Sequence, residues 1–219
     1  MRASQKEIHT FLKHALNAKK YLEFGCGGST FLMLYVSMAE ILSVESDPNI
    51  IAHLCSYKLI QDALQDSNTS ETPASINSLA QKDLACTDSF QNPRLRFYPI
   101  DIGEVGKWGM PIDESKKSNY PLYSSHIFQS LSPIKIENID TIFVDGRFRV
   151  ACVLNTLLHC QKDSTIIIHD FFNRPQYHIV LDFLNCIEQC ETMGVFKAKP
   201  DLDKIRIHTL LDTYAYQVE

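Results

Sequence analysis

The sequence predicts a doubly wound α/β fold, a mostly parallel seven-stranded sheet with a C-terminal antiparallel hairpin and helices on both faces. Three observations predict it. Short apolar runs alternate with amphipathic stretches along most of the 219 residues, the pattern of repeated strand–helix–strand units. The run Tyr21-Leu22-Glu23-Phe24 passes through Gly25-Cys26-Gly27-Gly28 into a helix start at Ser29-Thr30, a strand, a glycine turn and a helix in direct succession. Finally, four successive strands end on acidic groups, at Glu45, Asp101, Asp145 and His169-Asp170. The carboxyl edge where those ends meet is where open α/β sheets bind ligands.

Length and charge bound the rest. A chain of this size makes one domain, residues 1–219, and buries a substantial core. A net charge of -5 argues against a nucleic-acid groove, which needs clustered Lys and Arg, and favours a small-molecule partner; it says nothing about oligomeric state. The N-terminus Met1-Arg2-Ala3-Ser4 has no apolar signal core, and no apolar run approaches the roughly 20 residues of a membrane span. A cytoplasmic protein without membrane contact is expected. The seven cysteines are odd in number and include no Cys-x-x-Cys pair. Cys186 and Cys190 stand at helical spacing, and all seven read as reduced, mostly buried thiols.

Taken in order, Ser4 and Glu7 form a capping box, and Ile8, Phe11, Leu12, Ala15 and Leu16 follow on one helical face. The first strand is expected at 20–24, a helix at 29–38, and the second strand at 41–45. Asp47 caps a helix with Pro48 at its first position, expected to run to about 65. Composition then turns to Ser, Asn, Thr, Gln and Asp, which marks a polar insertion at about 66–93 with a short helix near 76–84. The third strand, 94–100, ends at Asp101. The loop after it, about 102–126, holds Trp108, Tyr120 and Tyr123 and reads as a lid or a pocket wall, with a helix near 124–131 to follow. The fourth strand is expected at 139–144, a helix at 150–160, and the fifth strand at 165–169, apolar throughout as befits a central parallel strand. A helix over 177–191 and two closing strands, 194–199 and 204–211, complete the pattern.

The glycine turn narrows the ligand. A dinucleotide fingerprint requires a third glycine at position 30, and Thr30 stands there. Glu45 lies 22 positions after Glu23, the distance one strand–helix–strand unit imposes, and its carboxylate can accept both hydroxyls of a ribose. That suits an NAD site as well as any other nucleoside. An acidic strand residue followed by Gly-x-Gly, with further acids ending the next strands, resembles class I S-adenosylmethionine-dependent methyltransferases from Tyr21 to Asp170, and the terminal hairpin is similar to their Rossmann-like fold.

The resemblance implies an enzyme that transfers a methyl group from S-adenosylmethionine to a small-molecule hydroxyl, with a saccharide among the candidate acceptors. It would place Glu23, Gly25 and Gly27 against the methionine part of the cofactor, with Thr30 at the same turn. Glu45 would hold the ribose, and Asp101 with Ile102 would flank the adenine. Asp145, His169 and Asp170 would face the transferred methyl group, and Asp145 or His169 would take the acceptor's proton. Asp145 and Asp170 also end neighbouring strands and could offer hard oxygens to Mg²⁺, as in catechol-type O-methyltransferases. Phe171 follows Asp170 where a third oxygen ligand is expected, so a metal is not favoured. Arg147, Arg149 and Arg174 gather beside the same edge; their guanidinium forks suit a carboxylate or phosphate on a substrate, or the strand-end carboxylates themselves. Trp108, Tyr120 and Tyr123 could offer flat faces to a ring. Two other classes stay open: a nicotinamide-dependent oxidoreductase, and a nucleoside-binding or partner module without catalysis.

Overall fold

The computed structural model describes residues 2–65 and 93–219. The polar insertion at 66–93, apart from its last residue, and the helix expected near 76–84 lie outside the described residues. Seven strands form one sheet in the order β3-β2-β1-β4-β5-β7-β6. These are β1 Lys20–Phe24, β2 Glu40–Glu45, β3 Leu95–Pro99, β4 Thr141–Val144, β5 Thr165–Ile168, β6 Leu184–Cys190 and β7 Met193–Ala198. The first five run parallel; β7 is antiparallel to both β5 and β6.

Every residue of β1 and β4 is buried, because helices cover both faces and successive side chains alternate between them. Tyr21, Ile41, Leu95, Phe143, Ile167 and Val195 point to one face. There they meet Phe11 of α1 Gln5–Ala15, Met33 of α2 Gly28–Val36, Leu54 of α3 Pro48–Cys55 and Ile60 of α4 Lys58–Leu64. Leu22, Phe24, Leu42, Val44, Ile142, Val144, Ile166 and Ile168 point to the other. They pack on α5 Tyr120–Ser130, α6 Pro133–Glu137, α7 Arg149–His159 and α8 Lys204–Tyr214. No helix among the described residues is long and apolar enough to cross a membrane.

Three expected elements differ. The helix expected to run from Asp47 to about 65 is two helices, parted at Ser56-Tyr57, where the Ser56 hydroxyl donates to the His53 carbonyl at 2.7 Å and competes for it. The helix expected over 177–191 is a 3₁₀ segment, Pro175–Asp182, followed by β6. As an edge strand β6 pairs only with β7, carries a bulge between Cys186 and Glu188, and leaves most side chains in solvent, so it shows no alternation to read. The strand expected at 204–211 is α8, capped by Asp203, whose carboxylate accepts from the Arg206 N–H at 2.9 Å. Ile205 and Ile207 alternate as a strand would, yet Ile207, Leu210, Leu211 and Tyr214 repeat at helical spacing and face the core. The terminal hairpin is therefore β6–β7, joined through Glu191 at φ 51° and Thr192.

The glycine turn and the β4 turn touch backbone to backbone. Gly25 has φ 95°, and a Cβ there would come within 2.7 Å of the Gly146 Cα. Both the positive φ and the contact exclude a side chain. Gly25→Ala is expected to cost at least about 2 kcal/mol in urea unfolding followed by circular dichroism; an unchanged midpoint would show that the two turns can separate freely.

Candidate active site

The site is built on the carboxyl ends of β1, β2, β4 and β5. Glu23 lies inside the sheet at 0% exposure, behind the glycine turn. Four hydroxyls donate to it: Thr30 at 2.5 Å, Ser29 and Ser43 at 2.7 Å, and Tyr21 at 3.2 Å. Burial raises its pKa, and the four donors only partly offset that. Thr30, also fully buried, in turn accepts from the Gly27 N–H at 2.9 Å. Glu23 and Thr30 thus hold the turn from within, and the ligand-facing side of the turn is its backbone. Glu45 orders the turn from the other side. Its Oε1 accepts from the Ser46 and Asp47 amides at 2.6 and 2.9 Å, and its Oε2 accepts from the Cys26 amide at 3.0 Å.

Asp101 stands exposed just after β3, where its carboxylate accepts from the Gly103 N–H at 3.0 Å and pairs with Lys116; Ile102 beside it is fully buried. The loop beyond folds back as a small hairpin, the Gly106 N–H donating to the Met110 carbonyl at 2.7 Å and the Ile112 N–H to Glu104 at 2.9 Å. Trp108 projects from it at φ 64°, half exposed, with the Arg2 guanidinium stacked 4.5 Å from its ring centre. The expected loop ends earlier than 126, because Tyr120 opens α5. Tyr120 and Tyr123 pack into the core against Phe148 and have no free face for a ring, which corrects the expectation from sequence.

Asp145, His169 and Asp170 do come together, with their ligand atoms within 4.8 Å of one another. His169 Nδ1 lies 2.8 Å from Asp145 Oδ1, and its Nε2 lies 3.8 Å from Glu7 Oε2, so a buried ring stands between two carboxylates. Burial opposes the charged ring, but the Asp145 hydrogen bond and the charges of Asp145, Asp170 and Glu7 outweigh it and raise the His169 pKa. Burial likewise opposes the Asp145 carboxylate, and His169 with Arg149 more than reverses it, so its pKa is lowered. Glu7 was not legible as a site residue: its Oε2 accepts from the Ser4 amide as a capping box requires, while its Oε1 accepts from the Thr192 amide and hydroxyl at 3.1 and 2.6 Å.

Arg149 organises the whole edge. At 3% exposure its Nε donates to the Gly146 carbonyl at 2.9 Å, one terminal nitrogen to the His169 carbonyl at 2.5 Å, and the other to the Asp145 carbonyl at 3.1 Å. That last nitrogen also lies 3.4 Å from Asp145 Oδ1 and 3.9 Å from Asp170 Oδ2. Of the two readings of the arginine cluster, Arg149 therefore takes the internal one. Arg147 and Arg174 meet the side chain of Glu219, at 3.3 and 3.4 Å, and Arg174 also reaches the strand-end carboxylate of Asp170 at 3.5 Å.

Magnesium is not favoured at this set, although the three residues stand close enough to hold an ion. The Arg149 guanidinium already lies between the two carboxylates, His169 occupies Asp145 Oδ1, and Phe171 replaces a third oxygen. The His169–Asp145 pair instead gives a pH signature. The raised His169 contributes stability fully below its ordinary value of 6.5 and loses it as pH rises through the folded value. Asp145 contributes above its ordinary 3.8 and loses it only in stronger acid. The stability advantage of the wild type over His169→Gln is expected to be largest near about pH 5.5 and to shrink by about pH 8.5, read from urea midpoints at each pH. A gap that stays constant or widens with pH would contradict it.

No family model matches the chain, and no curated protein matches it. Among solved structures, the MycE methyltransferase of mycinamycin biosynthesis, held with Mg, SAH and mycinamycin VI, aligns at TM-score 0.45 and 10% identity over 89% of this chain and 46% of its own. A precorrin-8w decarboxylase of Methanobacterium thermoautotrophicum aligns at 0.45 and 10% over 91% and 92%. A methyltransferase-like protein from Silicibacter pomeroyi DSS-3 aligns at TM-score 0.72 and 22% identity, over 99% of this chain and 97% of that one. From end to end, the chain has the fold of that methyltransferase-like protein.

Proposed function

We propose that this protein is an S-adenosylmethionine-dependent methyltransferase acting on a hydroxyl of a small molecule, with a saccharide among the acceptors considered. The observation that carries the reading is the whole-length likeness in fold to a methyltransferase-like protein, with strand order 3-2-1-4-5-7-6. The antiparallel β7 between β5 and β6 supports it over a nicotinamide-dependent oxidoreductase, whose dinucleotide fold is typically parallel throughout.

The residues at hand suit the cofactor. Glu45 Oε2 accepts from one donor among the described residues, and a carboxylate oxygen has two lone pairs, which leaves an acceptor position for a ribose hydroxyl. S-adenosylmethionine, when bound, supplies the electron-poor methyl carbon. The chain has to hold the acceptor in line and take its proton, and positioning alone can lower the barrier by roughly 7–11 kcal/mol. Asp170, partly exposed beside the Asp145–His169 pair, and Asp145 itself are the groups at the edge that can receive that proton. His169, with both nitrogens turned to carboxylates, acts with Asp145 as one titrating unit. Trp108, Arg147 and Arg174 form the acceptor side. The reading includes a cytoplasmic protein without nucleic-acid or membrane partners, which the free thiols among the described cysteines suit.

Calorimetric titration with S-adenosylmethionine, S-adenosylhomocysteine and NAD tests it. Both adenosyl compounds are expected to bind, NAD is not, and Glu45→Gln is expected to weaken binding by about ten- to a hundredfold through loss of a charged hydrogen bond. Binding of NAD alone would move the protein to the oxidoreductase class, and binding of none would leave the glycine turn a structural turn.

A further inference from the structure

Arg147 is an unusual cation. The residue is 7% exposed, yet among the described residues its guanidinium meets only the Met110 sulfur and Glu219 Oε1, each at 3.3 Å. Arg174 reaches the same Glu219 oxygen at 3.4 Å, while its other contacts, the Tyr177 hydroxyl at 3.4 Å, the face of the Tyr177 ring and Asp170 at 3.5 Å, fix its direction. Two guanidinium groups thus converge on one oxygen of one carboxylate. All these separations exceed the 2.7–2.9 Å typical of a charge-assisted pair, and a single shared oxygen forgoes the two-pronged geometry that guanidinium favours. A buried arginine so weakly compensated is costly, and a better-placed anion would relieve it.

Glu219 is a replaceable occupant. Its side chain is half exposed, and its segment is tied down one residue earlier, where the Phe148 N–H donates to the Val218 carbonyl at 3.1 Å. We infer that Arg147 and Arg174 form a carboxylate-binding site for the acceptor, and that Glu219 is an internal stand-in which the acceptor's carboxylate displaces. This deepens the methyltransferase reading, on which its assignment to an acceptor rests. A carboxylate is favoured over a phosphate because a carboxylate occupies the site here, and a dianion would lie beside Asp170 and near Asp145. With its carboxylate on the two arginines, an acceptor would extend toward Asp170, 3.5 Å from Arg174.

The test titrates the whole chain with glutarate, and in parallel with inorganic phosphate, by chemical-shift changes in the wild type, Glu219→Gln and Arg174→Gln. Both substituted positions are partly exposed, so the variants are expected to fold. A tethered side chain competes at an effective concentration of order millimolar, so Glu219→Gln should bind glutarate about tenfold more tightly than wild type. Arg174→Gln should bind it at least about tenfold more weakly. Equal affinity in wild type and Glu219→Gln would overturn the stand-in, and undiminished binding by Arg174→Gln would overturn the site. Tight binding of phosphate without glutarate would overturn the carboxylate class. The readout is independent of S-adenosylmethionine: failure here beside intact cofactor binding removes this inference alone, whereas failure of cofactor binding beside the expected glutarate pattern removes the methyltransferase reading and the assignment to an acceptor, and leaves the carboxylate site and its Glu219 stand-in.

Discussion

The arrangement at the carboxyl edge depends on one buried guanidinium. Two neighbouring strands, β4 and β5, end in sharp turns where Phe148 and Asp170 both take φ 53°, a left-handed conformation that costs a residue with a Cβ on the order of 1 kcal/mol or more. Such turns persist only when something else holds them. Arg149 does so by donating to the backbone carbonyls of Asp145, Gly146 and His169, so that one planar group sets the distance between the two turns. The carboxylates of Asp145 and Asp170 in turn neutralise it, and without them a charged group at this depth would be strongly disfavoured. Structure and electrostatics are thus one constraint: the acids at this edge are also the counter-ions of the clamp that positions them.

The other buried charges follow a different rule. Glu23 has four hydroxyl donors and, among the described residues, no cation beside it, and Glu7 takes two backbone amides and a hydroxyl before its charge reaches His169. Neutral donors can satisfy a carboxylate at moderate cost when every lone pair is used. Glu23 therefore serves to make the first turn rigid, and what that turn presents at the carboxyl edge is its backbone, with Glu45 behind it.

Much of this was legible in the sequence because it depends on short-range chemistry. Buried parallel strands read as continuous apolar runs, Ser4 and Glu7 spelled a capping box, and the four acid-ended strands pointed to the edge where Asp145, His169 and Asp170 meet. What escaped needed contacts across the fold. Near Tyr120 and Tyr123 the one local sign of a helix start was Pro121 in its first turn, and that alone did not tell an exposed aromatic loop from the first turn of a core helix. The solvated edge strand β6 had no pattern to show, and its Cys186 and Cys190 imitated helical spacing. In α8 the alternation of Ile205 and Ile207 competed with the helical repeat, and packing on α7 decided between them. Arg147 and Arg149 are both buried, and which partners each one meets, Glu219 for the first and the β4 and β5 turns for the second, depends on tertiary contacts that charge counting does not register.

Glu7 has a consequence for the order in which the molecule assembles. It belongs to the first helix, but the amide and hydroxyl that satisfy it come from Thr192, 185 residues later, in the turn of the last hairpin. During synthesis α1 emerges early and has to wait, its carboxylate still hydrated, until nearly the whole sheet is available. Contacts of such long range close loops at high entropic cost and slow folding. The helix at the start of this sequence is in this sense among the last pieces to be locked, and the contact that locks it lies beside His169 at the carboxyl edge of the sheet.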